Sequence, residues 1–217
     1  MPKTDYFTAD GTRVPGVTTI IGVLSKDQLI HWAWKCGMDG KDYRNVRDEK
    51  GSIGTLCHHI IEAYLKGEHA DYAGFPSAVV DKAENAALAY FEWEQQHTVE
   101  PIIVEPHLVS ELGFGGTPDC LAKVDGAVTL LDFKTSAGIY ENYYIQLAAY
   151  DHLLRDYGYA PEAHTILRIG REEDEGFEVQ QVGNLDSYWQ IFTHCLGIYQ
   201  TRRLLNGNNR NSRVRRK

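Results

Sequence analysis

The sequence lacks the long apolar run that a membrane helix requires. Such a helix needs about 18 or more consecutive apolar residues, and no segment of the 217 residues approaches that length. The opening MPKTDYFTADG also lacks the apolar stretch of a signal peptide. These two absences favour a cytoplasmic protein with no membrane partner.

Cysteine is scarce and poorly placed for metal or disulfide chemistry. The four cysteines are Cys36, Cys57, Cys120 and Cys195, and no two of them form a C-x-x-C pair. Widely spaced cysteines of this kind are typical of reduced thiols in a cytosolic protein. The sequence therefore argues against a zinc finger and against a disulfide framework.

Positive charge is in deficit except at the C-terminal end. The net charge is −8, but residues 201–217 hold six arginines and one lysine without any acid. The other 200 residues therefore sum to −15. A basic tail on an acidic body can hold a polyanion locally. A solvated tail without a partner is the alternative, and this pattern alone does not decide between the two.

The apolar pattern predicts one α/β (α+β) domain over residues 1–205 and a flexible basic tail over residues 206–217. No internal repeat and no long linker interrupts the domain. The predicted order is a short strand or turn, three helices, a strand, a hairpin, a helix, two strands and a final helix.

Three predictions about these elements are specific. Ser25 is placed to cap the first helix, and Ser52 to cap a second helix that ends at Gly67. The segment VEPIIVEPHLVS, residues 99–110, has the composition of a strand. Its two prolines indicate an edge strand or a bulge.

The stretch GGTPDCLAKVDGAVTLLDFKTS, residues 115–136, predicts a hairpin with an unusual charge pattern. Asp125-Gly126 is a strong two-residue turn signal, and pairing about it sets Asp119 opposite Asp132. Directly opposed side chains have Cβ atoms about 4.5–5.5 Å apart, so two carboxylates placed there repel each other. Lys134 projects from the same face as Asp132, because side chains alternate along a strand.

Three explanations compete for this group of two carboxylates and a lysine. The lysine neutralises one aspartate on a solvated sheet face, or the carboxylates act as a general acid and base, as in glycosidases. The third explanation is a hard divalent cation, which prefers oxygen ligands and converts the repulsion into attraction. Mg²⁺ usually binds one or two carboxylates together with waters and substrate phosphate oxygens. We favour the cation, because a single hairpin that supplies both carboxylates and a lysine fits an acid–base pair poorly.

With these motifs the chain resembles the PD-(D/E)XK nuclease superfamily, in its RecB-like branch. The hallmark Pro-Asp followed by Asp/Glu-x-Lys stands here as Pro118-Asp119 and Asp132-Phe133-Lys134. The Gln-x-x-x-Tyr helix of that branch is matched by Gln146 and Tyr150. The resemblance covers about residues 14–155. It implies a restriction-endonuclease-like core, with a mixed central β-sheet flanked by helices and extra N- and C-terminal helices.

Further features extend the resemblance. The branch carries a histidine in a G-x-x-x-H setting, matched by Gly54 and His58. It also carries a glutamate on the strand before the hairpin, matched by Glu105, with Glu111 as an alternative. The opening VPGVTTIIGVL resembles the start of phage and prophage members, which are related to mitochondrial genome maintenance exonucleases.

The resemblance implies a role for each matched residue. It implies a site for Mg²⁺, with Mn²⁺ as a substitute, whose ligands are Asp119, Asp132, His58 and the backbone carbonyl of Phe133. The implied catalytic residues are Asp119, Asp132, Lys134, Glu105, Gln146 and Tyr150. The implied DNA contacts are Gln146 and Tyr150, together with the tail residues Arg210, Arg213, Arg215, Arg216 and Lys217.

Simpler interpretations stand beside three of these roles. His58 is also explained as a helix-surface histidine, Tyr150 as a core residue and Gln146 as a solvated side chain. Gln146 and Tyr150 share one helix face because they are spaced i, i+4. That face would contact the phosphate of the cleaved strand or orient Lys134.

The implied function is a metal-dependent deoxyribonuclease that acts on linear DNA, at ends or single strands. An exonuclease of phage or prophage DNA recombination, repair or degradation is favoured, in the cytoplasm of a bacterium or a phage-infected cell. The alternatives are a structure- or sequence-specific endonuclease and a catalytically silent DNA-binding module. Only Cys195 follows the core, so we expect no iron–sulfur cluster of the kind that some relatives hold.

Overall fold

The computed structural model describes residues 5–25, 27–171 and 174–214, with side chains left undescribed at residues 27–28 and 207–214. The helices are α1 (Val17–Ile21), α2 (Asp27–Met38), α3 (Tyr43–Lys66), α4 (Ser77–Glu94), α5 (Glu141–Asp156) and α6 (Asp186–Val214). The strands are β1 (Tyr6–Phe7), β2 (Arg13–Val14), β3 (Val99–Val104), β4 (Leu108–Ser110), β5 (Phe114–Gly116), β6 (Cys120–Val124), β7 (Ala127–Thr135), β8 (Ala163–Ile169) and β9 (Phe177–Val182).

A five-stranded mixed sheet forms the centre of the molecule, in the order β3-β6-β7-β8-β9. Strands β7 and β8 are parallel, and every other neighbouring pair is antiparallel. Helix α5 makes the crossover between the two parallel strands, as parallel pairing requires. Two small two-stranded sheets, β1-β2 and β4-β5, lie outside the central sheet. The predicted mixed sheet flanked by helices is confirmed.

The hairpin turns where the sequence predicts it. Asp125 and Gly126 have φ angles of 49° and 94°, the left-handed conformation that a tight two-residue turn demands. Leu121 pairs with Leu130 across the hairpin, so the predicted register is confirmed.

Alternation along β7 divides the core into two layers. Leu130 packs in a cluster built on α1, α5 and α6, whereas Leu131 packs in a second cluster built on α3 and α4. Asp132 and Lys134 alternate with Leu131 and therefore share the face of Leu130, which packs toward α5. This arrangement sends both charged side chains toward the helix that carries the Gln-x-x-x-Tyr pattern.

Helix α3 begins about two and a half turns earlier than predicted. Asp42 caps it by accepting a hydrogen bond from the Arg44 N–H at 2.8 Å. Ser52 lies inside the helix, where its hydroxyl donates to the Asp48 carbonyl at 2.9 Å. The prediction that Ser52 starts the helix was wrong, because serine is also tolerated inside a helix by bonding the carbonyl four residues earlier. The predicted end at Gly67 is confirmed by its φ of 70°.

The strand predicted over residues 99–110 is two strands. Glu105, with a φ of 48°, and Pro106 separate β3 from β4. Strand β3 lies at the edge of the sheet, and its pairing shifts between Pro101 and Ile103. The predicted edge position and bulge are therefore confirmed, although the strand is shorter than expected.

The C-terminal helix continues past the predicted end of the domain. Helix α6 runs through Arg210 and Arg213 to Val214, and residues 215–217 lie outside the described part. A separate flexible tail from residue 206 stays a prediction. Within the described ranges, no helix is both long and apolar enough to cross a bilayer.

Candidate active site

Strand β7 carries Asp132 and Lys134 at the base of the site. Asp132 is 0% exposed, and Lys134 Nζ lies 2.5 Å from its Oδ2 atom. Lys134 is thus the partner of Oδ2, whereas Oδ1 has no hydrogen-bond donor among the described residues. A buried carboxylate with one oxygen left without a donor is costly, so the site favours a further cation.

Asp119 lies beside Asp132 at the open end of the hairpin. It is one position beyond the last ladder pair of β6 and β7, Cys120 with Leu131. Its Oδ2 atom accepts a hydrogen bond from the Phe133 N–H at 2.7 Å. Backbone pairing thus holds the second carboxylate next to the first, as the hairpin register requires.

His58 reaches this pair from α3. Its Nδ1 atom lies 3.9 Å from Asp119 Oδ1, and its ring meets the Phe133 ring edge-to-face at 6.2 Å. Gly54, one helical turn earlier, faces Thr135 at the end of β7, and a Cβ at position 54 would overlap the threonine hydroxyl. The glycine therefore allows α3 to approach the strand closely enough for His58 to enter the site.

Gln146 and Tyr150 face the site from α5. The Gln146 side-chain amide donates a hydrogen bond to the Tyr150 hydroxyl at 2.7 Å. Tyr150 belongs to the buried core, as one interpretation predicted, and it also lines the cleft. Burial raises the Tyr150 pKa, and the charges of Asp119 and Asp132 raise it further. The hydroxyl thus stays protonated beside the carboxylates.

Glu105 lies in the site, paired with a residue that sequence reasoning left out. Burial raises the Glu105 pKa to about 7, with further contributions from the charges of Glu62 and Asp119. Glu62, on α3, shares a hydrogen bond with Glu105, and its own pKa is lowered. A hydrogen bond between two carboxyl groups needs one proton, and the Lys66 ammonium 2.5 Å from Glu62 favours Glu105 as its carrier. Glu62 could have been found from the sequence, because its i, i+4 spacing from His58 places both side chains on one face of α3.

Glu111, the alternative to Glu105, does not meet the other groups. It is exposed in the turn between β4 and β5 and is not among the described residues that line the cleft. The backbone decides between the two glutamates, because the Glu105 N–H donates to the Asp119 carbonyl at 2.9 Å.

Burial shifts the protonation of the central groups. It raises the Asp132 pKa to about 6 and lowers the His58 pKa to about 4, where the Lys134 charge also contributes. Burial alone would lower the Lys134 pKa, but the charges of Asp132 and Asp119 outweigh it and the pKa is raised. At neutral pH the site therefore holds a charged lysine and a neutral imidazole.

The donors present fit a hard divalent cation. The described residues contain no group of three His, Cys, Asp or Glu side chains already converged for metal binding. Mg²⁺ does not need such a cage, since it usually binds one or two carboxylates and keeps several waters. Asp119 and the donor-free Oδ1 atom of Asp132 meet that need. Phe133 adds a carbonyl, which accepts a 3.4 Å hydrogen bond from Lys134.

The site opens into a cleft of about 730 Å³. Asp119, Lys134, Gln146 and Tyr150 are among its lining residues, and Asp132 lies buried beneath them. The cationic side chains that line it are Arg13, Lys50, Arg171, Arg203 and Lys134. Sequence reasoning missed Arg13, Lys50 and Arg171, because none belongs to a motif and they come from three separate segments of the chain, whereas Arg203 belongs to the basic segment 201–217.

The tail residues predicted to contact DNA cannot be placed against this cleft. Arg210 and Arg213 belong to α6, but their side chains are among those left undescribed. Arg215, Arg216 and Lys217 lie outside the described residues. The tail contacts stay a prediction.

Comparison with known proteins adds to this geometry. The family model of the PD-(D/E)XK nuclease superfamily matches residues 29–210. Among solved structures, a candidate exonuclease from Eubacterium rectale has a TM-score of 0.50 and 16% identity, covering 72% of this chain and 68% of that chain. The alkaline exonuclease of Laribacter hongkongensis has a TM-score of 0.43 and 13% identity, covering 75% and 84% respectively. At 16% identity the Eubacterium rectale structure is similar to this chain in fold alone. No curated protein matches the sequence.

Proposed function

The chain belongs to the PD-(D/E)XK nuclease superfamily, and from this premise we propose that it is a Mg²⁺-dependent deoxyribonuclease. The proposed reaction is hydrolysis of a phosphodiester bond by an activated water, without a covalent intermediate. The observation that carries the proposal is the carboxylate pair of the cleft. Asp132 is buried with Oδ2 paired to Lys134 and with no hydrogen-bond donor on Oδ1 among the described residues, and Asp119 lies beside it.

Asp119 and Asp132 would hold the divalent cation, with the Phe133 carbonyl and His58 as further ligands. When bound, the cation supplies Lewis acidity, which lowers the pKa of water and offsets the charge that develops on the phosphate. The pKa of His58, lowered to about 4 by burial and by the Lys134 charge, keeps the imidazole neutral at pH 7. A ring nitrogen is therefore free to act as a ligand or as a hydrogen-bond acceptor.

Lys134 would position the attacking water or neutralise the phosphate. Its ammonium group is charged at neutral pH, because two carboxylates raise its pKa against the effect of burial. Its Nζ atom lies 5.3 Å from the centre of the Tyr143 ring. The ammonium group is therefore held between the face of that ring and the Asp132 carboxylate. The Gln146 and Tyr150 pair would contact the phosphate of the cleaved strand or orient Lys134.

We favour an exonuclease of phage or prophage type among the possible DNA nucleases. This finer assignment rests on the RecB-like pattern of Gln146 and Tyr150 and on the opening VPGVTTIIGVL. DNA is the substrate that this pattern favours.

One assay tests the proposal and separates its alternatives. The protein is incubated with end-labelled linear DNA and with covalently closed circular DNA, in Mg²⁺, in Mn²⁺ or in EDTA. We expect metal-dependent degradation of the linear DNA and intact circles, with no cleavage by the Asp119→Asn and Asp132→Asn variants. Nicking of circles would indicate an endonuclease instead. Binding of either DNA without any cleavage would indicate a catalytically silent module.

A further inference from the structure

Two cations of the cleft meet on one carboxylate. Lys50 comes from α3 and Arg171 from the segment after β8, and both line the cleft that contains Asp119 and Lys134. Glu175 lies between them, with one carboxylate oxygen 3.5 Å from Lys50 Nζ and the other 3.4 Å from Arg171 Nε.

The position of Glu175 is set by the backbone and hardly at all by the two cations. Its Oε2 atom accepts a hydrogen bond from the Arg171 N–H at 2.8 Å. The contacts to the two cationic side chains are much longer than the roughly 2.7–2.9 Å of a good charge-assisted hydrogen bond. Lys134, by comparison, lies 2.5 Å from its own carboxylate. The pairs that Glu175 makes with Lys50 and Arg171 are therefore loose and exchangeable.

The backbone around Glu175 is held from beneath by a buried arginine. Arg168 is 7% exposed and donates hydrogen bonds to the carbonyls of Ser136, Glu175 and Gly176 at 3.3, 2.8 and 3.4 Å. Gly170 closes the same segment, since its N–H donates to the Gly176 carbonyl at 2.8 Å. The backbone carbonyls of Glu175 and Gly176 are thus held by Arg168 and Gly170, and Arg168 is a positioning residue for Glu175.

A polyanion entering this cleft needs local cations. The first 200 residues carry a net charge of −15, and the cleft itself contains carboxylates, so a phosphate backbone is repelled unless cations face it. Arginine suits this task because its planar guanidinium binds a phosphate through two parallel hydrogen bonds.

We propose that Lys50 and Arg171 form a phosphate clamp for the DNA strand in the cleft, and that Glu175 competes with the phosphate for both cations. The proposal rests on the proposed nuclease function, since it names the groups that hold the same substrate. It assigns Glu175 as a built-in competitor that weakens DNA binding.

If Glu175 competes with DNA for the two cations, substitution of Glu175 should change the DNA affinity in the opposite direction to substitution of Lys50 or Arg171. Binding of metal-free protein, in EDTA, to a short labelled duplex is measured by fluorescence anisotropy across a salt series. Lys50→Gln and Arg171→Gln should each weaken binding by roughly tenfold, as expected for a hydrogen bond to a charged group. Each should also reduce the slope of log affinity against log salt by about 1. Glu175→Gln should tighten binding by about two- to tenfold, the range of one net hydrogen bond, since the Arg171 and Glu175 side chains are only 15% and 12% exposed.

Matched controls come from an equivalent pair outside the cleft. Arg47 pairs with Asp48 at 2.7 Å on the same helix as Lys50, and both side chains are more than half exposed. Arg47→Gln and Asp48→Asn make the same charge changes and should leave the affinity within about twofold of wild type, because surface substitutions away from a binding site have small effects. Unfolding midpoints of all variants show whether each one folds.

A coupling measurement separates the clamp from general electrostatics. If Glu175 acts by holding the two cations, Glu175→Gln should lose its effect in the Lys50→Gln/Arg171→Gln background. Equal effects of Glu175→Gln and Asp48→Asn would overturn the competition, and equal effects of Arg171→Gln and Arg47→Gln would overturn the clamp. Wild-type cleavage in Mg²⁺ is measured in parallel. A wild-type protein that cleaves DNA, with a clamp that fails these tests, retains the proposed function and loses only this inference.

Discussion

Gly54 on α3 packs directly against Thr135 at the end of β7, where a β-carbon on the glycine would overlap the threonine hydroxyl. This contact is where the helix crosses the strand that carries Asp132 and Lys134. His58 follows one turn later on the same helix face. The distance between α3 and β7 therefore sets the position of the histidine relative to Asp119.

Gly54→Ala should lower both turnover and stability. The added methyl group forces α3 away from β7 and displaces His58, and a displacement of about 1 Å can cost about 10²-fold in rate. Overpacking of this kind costs about 1–3 kcal/mol of unfolding free energy. Gly37→Ala is the control, since Gly37 lies within α2 with no atom within 4 Å of a built Cβ. Wild-type turnover by Gly54→Ala would show that the close approach is unimportant for catalysis.

Asp132→Asn should abolish cleavage and stabilise the metal-free protein increasingly as the pH rises from 4 to 6. Burial raises the Asp132 pKa to about 6, so in this window the unfolded chain releases its proton before the folded protein does. Wild-type stability therefore falls with rising pH, and the asparagine removes that loss. The gain in unfolding free energy should be no more than about 3 kcal/mol. It is reduced because the substitution also removes the ion pair between Asp132 and Lys134.

Urea unfolding of both proteins in EDTA at pH 4, 5, 6 and 7 measures this difference. Asp48→Asn, at an exposed position, should show no such trend. A stability advantage of Asp132→Asn that shrinks between pH 4 and pH 6 would contradict the buried, donor-poor environment of the carboxylate.

Lys134→Ala should reduce turnover at saturating DNA by about 10²–10³-fold, the usual loss when one group that stabilises developing charge is removed. DNA affinity should change little, because one charge is a minor share of a polyanion contact. Lys134→Arg should not restore the rate, since a planar guanidinium does not replace a compact ammonium. Lys123→Ala, at an exposed position on β6, is the control. Normal cleavage with weakened binding would reassign Lys134 to backbone contact.

Glu62→Gln should lower the pKa of Glu105 from about 7 toward its usual range. Burial is the largest cause of the raised value, but the charge and the hydrogen bond of Glu62 also contribute. Removing a neighbouring negative charge favours the ionised form of the remaining carboxyl. Carbon-13 NMR titration of the metal-free protein measures the shift, with Glu68→Gln as a control of equal charge. An unchanged Glu105 titration would show that the two carboxyl groups do not share a proton.

Removal of residues 207–217 should flatten the salt dependence of DNA binding. The segment holds four arginines and one lysine. If these neutralise about four phosphates, the slope of log affinity against log salt falls by about 3–4 units for a duplex. Turnover at saturating DNA should survive, since the carboxylate pair lies elsewhere in the chain. An identical slope would place the whole affinity in the cleft and leave the tail without a role in binding.

Local patterns determined the centre of the site. The Asp125-Gly126 turn sets the register of β6 and β7, and alternation along β7 places Asp132 and Lys134 on one face. The i, i+4 spacing of Gln146 and Tyr150 likewise sets their common face on α5. These relationships span a few residues or a single turn, so strand and helix geometry decide them locally.

Tertiary structure decided everything that depends on how distant segments meet. Helix α3 begins at Asp42 and not at Ser52. Both side chains make local hydrogen bonds, Asp42 as the cap and Ser52 inside the helix, so the local pattern does not choose between them. Glu105 rather than Glu111 entered the site because its backbone pairs with Asp119. The partner of Glu105, Glu62, follows from the crossing of α3 over the end of the sheet.

The cations of the cleft were the least predictable part of the site. Lys50 and Arg171 are separated by 120 positions in the sequence, and neither belongs to a motif. They meet on Glu175 only because α3 and the segment after β8 border the same cleft. Hydrophobic packing in the two layers of the core fixes the positions of α3 and of the segment after β8. Because hydrophobic burial is non-directional, it leaves no local sequence pattern that reveals which cations will meet. The sequence alone therefore determined the chemistry at the carboxylates, whereas the surface that meets the substrate was decided by the packing of elements around them.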